Sequence, residues 1–84
     1  MSEEILLDTR ELEAPEPMGL VLLNLSLLNE TTYIKMVHRL EPLMLYTHLT
    51  SNKFQYKTLF ENDNIIIYIW SNAYQEIKKL EELF

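Results

Sequence analysis

The six consecutive apolar residues Ile65-Ile66-Ile67-Tyr68-Ile69-Trp70 constrain the fold of this chain more than any other stretch. A bilayer span needs about 18 such residues, so the run is far too short to cross a membrane as a helix. Its β-branched and aromatic content favours a strand. Side chains alternate along a strand, which sends Ile65, Ile67 and Ile69 to one face and Ile66, Tyr68 and Trp70 to the other. A strand apolar on both faces belongs inside a sheet, and both faces of that sheet must be shielded.

The neighbouring residues supply the rest of the sheet. Residues 54–60 alternate as a strand, and Glu61-Asn62-Asp63-Asn64 is a polar turn, so this segment and the apolar run form a hairpin. Residues 32–38 alternate with Tyr33, Lys35 and Val37 on one side and Ile34, Met36 and His38 on the other. Residues 5–8 form a short first strand. Prolines open the helices between them: Pro15 and Pro17 sit where a helix start tolerates a missing N–H, Glu16 suits the positive end of its dipole, and the pattern predicts a first helix to Asn29. Pro42 opens a second helix to Thr50, with Leu45 and Leu49, and Tyr46 one turn from Leu43, on its inward stripe. Asn52 stands where a left-handed helix-closing residue is expected. Ser71 or Asn72 caps a final helix over 73–83, in which Ala73, Ile77, Leu80 and Phe84 recur at helical spacing. The expectation is one α/β domain over residues 1–84: a βαβαββ two-layer sandwich, with a four-stranded mixed sheet, two helices on one face and an additional C-terminal helix at about 72–84.

Charge narrows the partners. The formal net charge is −6, and residues 1–16 hold six acids against Arg10, whereas residues 17–84 nearly balance. Nucleic acid requires lysines and arginines gathered on one face, and this chain has seven, scattered, so neither nucleic acid nor an anionic membrane surface is an expected partner. An acidic N-terminus unlike a signal peptide and the absence of cysteine point to the cytoplasm.

The run Leu7-Asp8-Thr9-Arg10-Glu11-Leu12, followed by Pro15-Glu16-Pro17-Met18, resembles the start of the TusA/SirA sulfur-carrier superfamily. With His38-Arg39-Leu40-Glu41-Pro42-Leu43-Met44-Leu45-Tyr46, it is similar to an uncharacterised bacterial branch of that superfamily, with three motifs in register over about residues 5–70. The resemblance implies the two-layer fold above. It also implies that the working thiol of the sulfur carriers would precede Pro15, where this chain has Ala14, so persulfide transfer is excluded by a missing nucleophile. Domains of this branch are found joined to haemerythrin-like domains or near respiratory nitrogen-oxide genes. A binding domain for an anionic or flavin-like cofactor in a redox pathway is therefore the alternative to a non-enzymatic interaction or accessory module.

Other chemistry is thinly supported. His38, Glu41 and His48 match no metal-site spacing. Ser26 lies mid-helix without a neighbouring base, and the single glycine, Gly19, falls inside the first helix, which leaves no glycine-rich phosphate loop. Parallel first and second strands would gather Arg10, Glu11, Glu16, His38, Arg39 and Glu41 at one sheet edge. We take Arg10, His38, Arg39 and Glu41 as the candidate ligand or contact site, able to hold a small anion or to tie the two strand-to-helix turns together. A protein partner or self-association is expected through Leu20, Leu23 and Leu27 on the far side of the first helix, or through Ile77, Leu80 and Phe84. The second apolar sheet face is left to the C-terminal helix, a second subunit, or a flat aromatic ligand stacked on Tyr68 and Trp70 with Tyr33 or Tyr56.

Overall fold

The computed structural model describes residues 2–84. Its strands are β1 (Glu3–Asp8), β2 (Thr32–His38), β3 (Phe54–Glu61) and β4 (Asn64–Ser71), and its helices α1 (Glu16–Asn24), α2 (Leu43–Ser51) and the short α3 (Ile77–Glu81). The described residues form one sheet of order β1-β2-β4-β3. Parallel pairing sets Ile5 beside Ile34 and Leu7 beside Met36, and β4 runs antiparallel to both β2 and β3. The three strands β1, β2 and β3 therefore point the same way, and their C-terminal ends share one edge. This is the expected α/β two-layer arrangement with a mixed four-stranded sheet.

The apolar run at β4 sits at the centre, and its two faces have separate cores. Ile65, Ile67 and Ile69 join Ile34, Met36 and Leu7 beneath Val21 and Leu25 of the first helical segment and Leu45 and Leu49 of α2. Tyr68 and Tyr33 lie on the opposite face under Tyr74 and Leu80, with Trp70, Ile66 and Ile77 packed around them. The C-terminal segment therefore covers its own sheet. It is pinned there by the Gln75 N–H donating to the Glu30 carbonyl at 2.9 Å. The Tyr74 hydroxyl also lies 2.6 Å from Ser2 Oγ, which donates to Glu76 at 2.8 Å.

Four local expectations are corrected. The first helix stops at Asn24, not Asn29, and tightens into a 3₁₀ turn over Leu25–Leu27. The Asn24 amide donates to the Leu20 carbonyl, and the Leu28 N–H bonds Leu25, one residue closer than an α-helix requires, before Leu28 turns extended. The left-handed residue after α2 is Lys53 (φ 64°), not Asn52, whose side-chain amide instead donates to the His48 carbonyl. Leu43 lies on the solvent side of α2. The final helix is five residues rather than eleven, because Ser71 accepts the Ala73 N–H and shapes a turn instead of capping a helix. Asn62 takes the positive φ (56°) that lets the two-residue β3–β4 turn close, with Glu61 paired to Asn64. No helix of the described residues is long and apolar enough to cross a membrane.

Candidate functional site

The shared C-terminal edge of β1, β2 and β3 brings together Arg10, His38, Arg39 and Glu41, as parallel β1–β2 pairing requires. Thr9 and His38 form its buried floor. Thr9 Oγ1 donates to the Val37 carbonyl at 2.9 Å, and His38 Nδ1 lies 2.9 Å from the Thr9 carbonyl and 3.1 Å from Thr9 Oγ1. A carbonyl can only accept, so Nδ1 carries the ring proton and is shared between the two Thr9 oxygens. His38 is 7% exposed and stitches the end of β2 to the end of β1.

Both arginines are bound by the chain itself. Arg10 forks onto Asp8 through Nε and a terminal nitrogen at 2.9 and 2.7 Å, and this pairing holds the Asp8 carboxyl down at about 2 and raises the Arg10 pKa. Arg39 donates to the carbonyls of Arg10 and Leu12 and lies 3.6 Å from Glu13. It fastens the β1–α1 loop onto the β2–α2 loop. Glu41 accepts a 3.0 Å bond from the Tyr46 hydroxyl, which also lies 2.7 Å from Thr58 Oγ1 and whose ring stacks on Tyr56 at 4.5 Å. Burial, chiefly, and the carboxylate of Glu41 push the Tyr46 phenol up to about 12. His38 and Arg39 clasp the two strand-to-helix turns together, whereas the side chains of Arg10 and Glu41 bond within their own connections, to Asp8 and Tyr46.

Beside the clasp, between the N-terminal ends of α1 and α2, lies an apolar groove of about 390 Å³. Ala14 and Pro15, joined by a cis peptide, form part of one wall with Met18. Leu40, Leu43 and Met44 form the other, and they are 66%, 65% and 70% exposed. Sequence reasoning missed this wall by assigning Leu43 to the core. The available signal was the number of apolar residues: Leu43, Met44, Leu45, Tyr46 and Leu49 in a nine-residue helix exceed what one buried stripe can hold.

The remaining candidates separate. Leu80 is 1% exposed and Ile77 half-buried, both within their own domain, so neither offers the interface expected of them. Phe84 lies over the aromatic face, its ring 5.8 Å from Trp70 and 5.4 Å from Tyr68. The face proposed for a flat aromatic ligand is thus occupied by Tyr74, Leu80 and Phe84, and Tyr56 lies against α2 on the other face. Leu20 packs against the main core, not with an outer stripe, because Val21 of α1 and Leu25 of the 3₁₀ turn that follows set the inward line and Leu20 borders it. Leu23 and Leu27 are exposed. His48 sits exposed in the last turn of α2, not at the clasp, and among the described residues no three His, Asp or Glu side chains converge as a metal site. No protein-family model, curated protein or solved structure matches the chain.

Proposed function

We propose that this chain is a small non-enzymatic interaction module of the cytoplasm, related to the cysteine-free branch of the TusA/SirA superfamily by the motifs quoted above, and that it docks partners through the groove beside Ala14. The observation that carries this reading is the contrast in shielding. The chain covers the central strands on both faces of its sheet and leaves only single apolar side chains, such as Leu6 and Phe60, open on the edge strands, yet it gathers Leu40, Leu43 and Met44 open around one groove where two helices begin. Methionine adapts its shape to varied apolar partners, which suits an interaction surface. The absence of cysteine removes the persulfide step, so incubation with a cysteine desulfurase and labelled cysteine leaves the mass unchanged.

The test is a photo-crosslinking residue at Leu43 in the full chain, expressed at native level in its own host. The reading expects a discrete protein adduct that Met44→Glu abolishes while the spectrum of the variant stays folded. Absence of any discrete adduct, or an adduct indifferent to Met44→Glu, overturns it.

A further inference from the structure

The charge around the groove identifies the chemistry of what fits it. The C-terminal edge of the sheet carries Asp8, Glu11, Glu13 and Glu16 from the β1–α1 connection and Glu41 from the β2–α2 connection. Because β3 runs parallel to β2, the β3–β4 turn adds Glu61 and Asp63 at the same edge. Arg10 and Arg39 are the only bases there among the described residues, so seven acids against two arginines leave this edge a formal −5 of the chain's −6. Neither arginine is available to a partner as a free cation: Arg10 is neutralised by Asp8, and Arg39 is engaged by two carbonyls and lies beside Glu13. Glu13 and Glu41 line the groove itself beside Arg39, and the other five acids lie beyond them on the same end of the sheet, so the apolar walls open onto a negative rim.

We propose that the groove receives a basic amphipathic segment of a partner protein, one that presents a row of apolar side chains flanked by lysine or arginine; this rests on the docking role proposed above. Two alternatives meet the same field and fail against it. A second copy of this chain docked here would bring two sheet ends of formal charge −5 together, and a small anion would approach acids in excess of bases. A basic segment gains steering from the rim and burial from Leu40, Leu43 and Met44. The rim sets on-rate and selectivity, and the apolar walls set lifetime.

The experiment is a methyl-detected NMR titration of the full chain with three synthetic 18-residue peptides of identical apolar pattern, whose polar positions are lysine, glutamate or serine. The lysine peptide is expected to shift the methyls of Leu40, Leu43 and Met44, at least tenfold more tightly than the serine peptide and with affinity falling as salt rises from 0.05 to 0.5 M, a range over which the Debye length shrinks to about 4 Å. Glu13→Lys combined with Glu16→Lys, both on the exposed surface, is expected to weaken the lysine peptide at least tenfold and leave the serine peptide unchanged. Equal or tighter binding of the serine or glutamate peptide at these methyls overturns the basic class while leaving the docking role standing. Shifts confined to the acidic residues with the methyls unmoved, self-association through the same methyls without peptide, or no binding by any peptide overturns the proposal itself, whereas failure of the docking role is read separately in the Leu43 crosslinking.

Discussion

The two faces of the sheet are built from the same strands and held by different means. On one, β-branched and aliphatic side chains of β2 and β4 interlock with two nine-residue helices. On the other, tyrosines at 6.0 and 5.9 Å centroid distances lie beneath a five-residue helix and its flanking turns, and hydroxyl groups find partners at the rim: Tyr33 donates to Glu4 at 2.9 Å and Tyr74 meets Ser2. An aliphatic face needs a cover with matching ridges, whereas aromatic rings with polar tips can be closed by a short segment and a few hydrogen bonds. The first face should therefore carry global stability and the second should open locally.

The largest effect should come from Leu45→Ala. Its side chain is fully buried between α2 and the sheet, so a loss of about 2–5 kcal/mol is expected in denaturant unfolding. Leu80→Ala is also a full burial, but its short cover can relax; about 2 kcal/mol is expected. Hydrogen exchange distinguishes the two. In Leu80→Ala the Gln75 amide should lose protection while the amides pairing β2 with β4 keep theirs, and uniform loss across the sheet would break the contrast between the faces. Next comes the clasp, where Thr9→Val removes a buried hydroxyl bonded to Val37 and His38 and should cost about 1–2 kcal/mol.

Smaller effects follow from titration and from the surface. Tyr33 and Tyr46 have raised phenol pKa values, the first chiefly from burial beside Glu4 and the second to about 12. A folded pKa above the unfolded value of about 10 means that the unfolded chain ionises first, so their contribution is complete below pH ~10 and is lost as pH rises toward 12. Tyrosinate absorbance should lag the ordinary phenol titration and then rise together with loss of the circular-dichroism signal. Asp8 acts in the opposite direction: its contribution is present above pH ~4 and lost as pH falls to about 2, and Asp8→Asn should flatten that acid limb. The smallest effect is Leu23→Glu, at 78% exposure, which should change stability by less than about 0.5 kcal/mol and leave sedimentation unchanged. A dimer dissociated by Leu23→Glu would restore the outer leucine stripe as an interface.

Much of the architecture was legible because strand alternation is a local signal. The opposite assignment of Ile34, Met36 and His38 against Tyr33, Lys35 and Val37 needed only a period of two, and the separation of Ile65, Ile67 and Ile69 from Tyr68 and Trp70 needed nothing more. Helix limits were less legible. Leucines at 20, 22, 23, 25, 27 and 28 match helical spacing well past Asn24, and nothing in their apolarity reveals that side-chain hydrogen bonding tightens the chain there. The clasp was half legible: parallel strands require Arg10 and Arg39 to meet, but whether a guanidinium faces a ligand or a neighbouring carbonyl depends on loop paths that no pattern encodes.

The sequence by itself determined the sheet, its two apolar faces, the proline-opened helices and the absence of a thiol, since each is a property of neighbouring residues or of composition. Only the tertiary structure decided that the C-terminal segment closes its own aromatic face, that Leu43 and Met44 stay outside, and that the acidity belongs to an edge rather than to a segment. Glu3 and Glu4, at the start of β1, fall at the other end of the sheet from Glu13 and Glu16, whereas Glu41, Glu61 and Asp63 join the latter from distant parts of the chain. The physical reason is that a crossover returns every parallel strand to the same edge, so electrostatic field and open apolar surface are sums over residues that the fold, and not their order, makes neighbours.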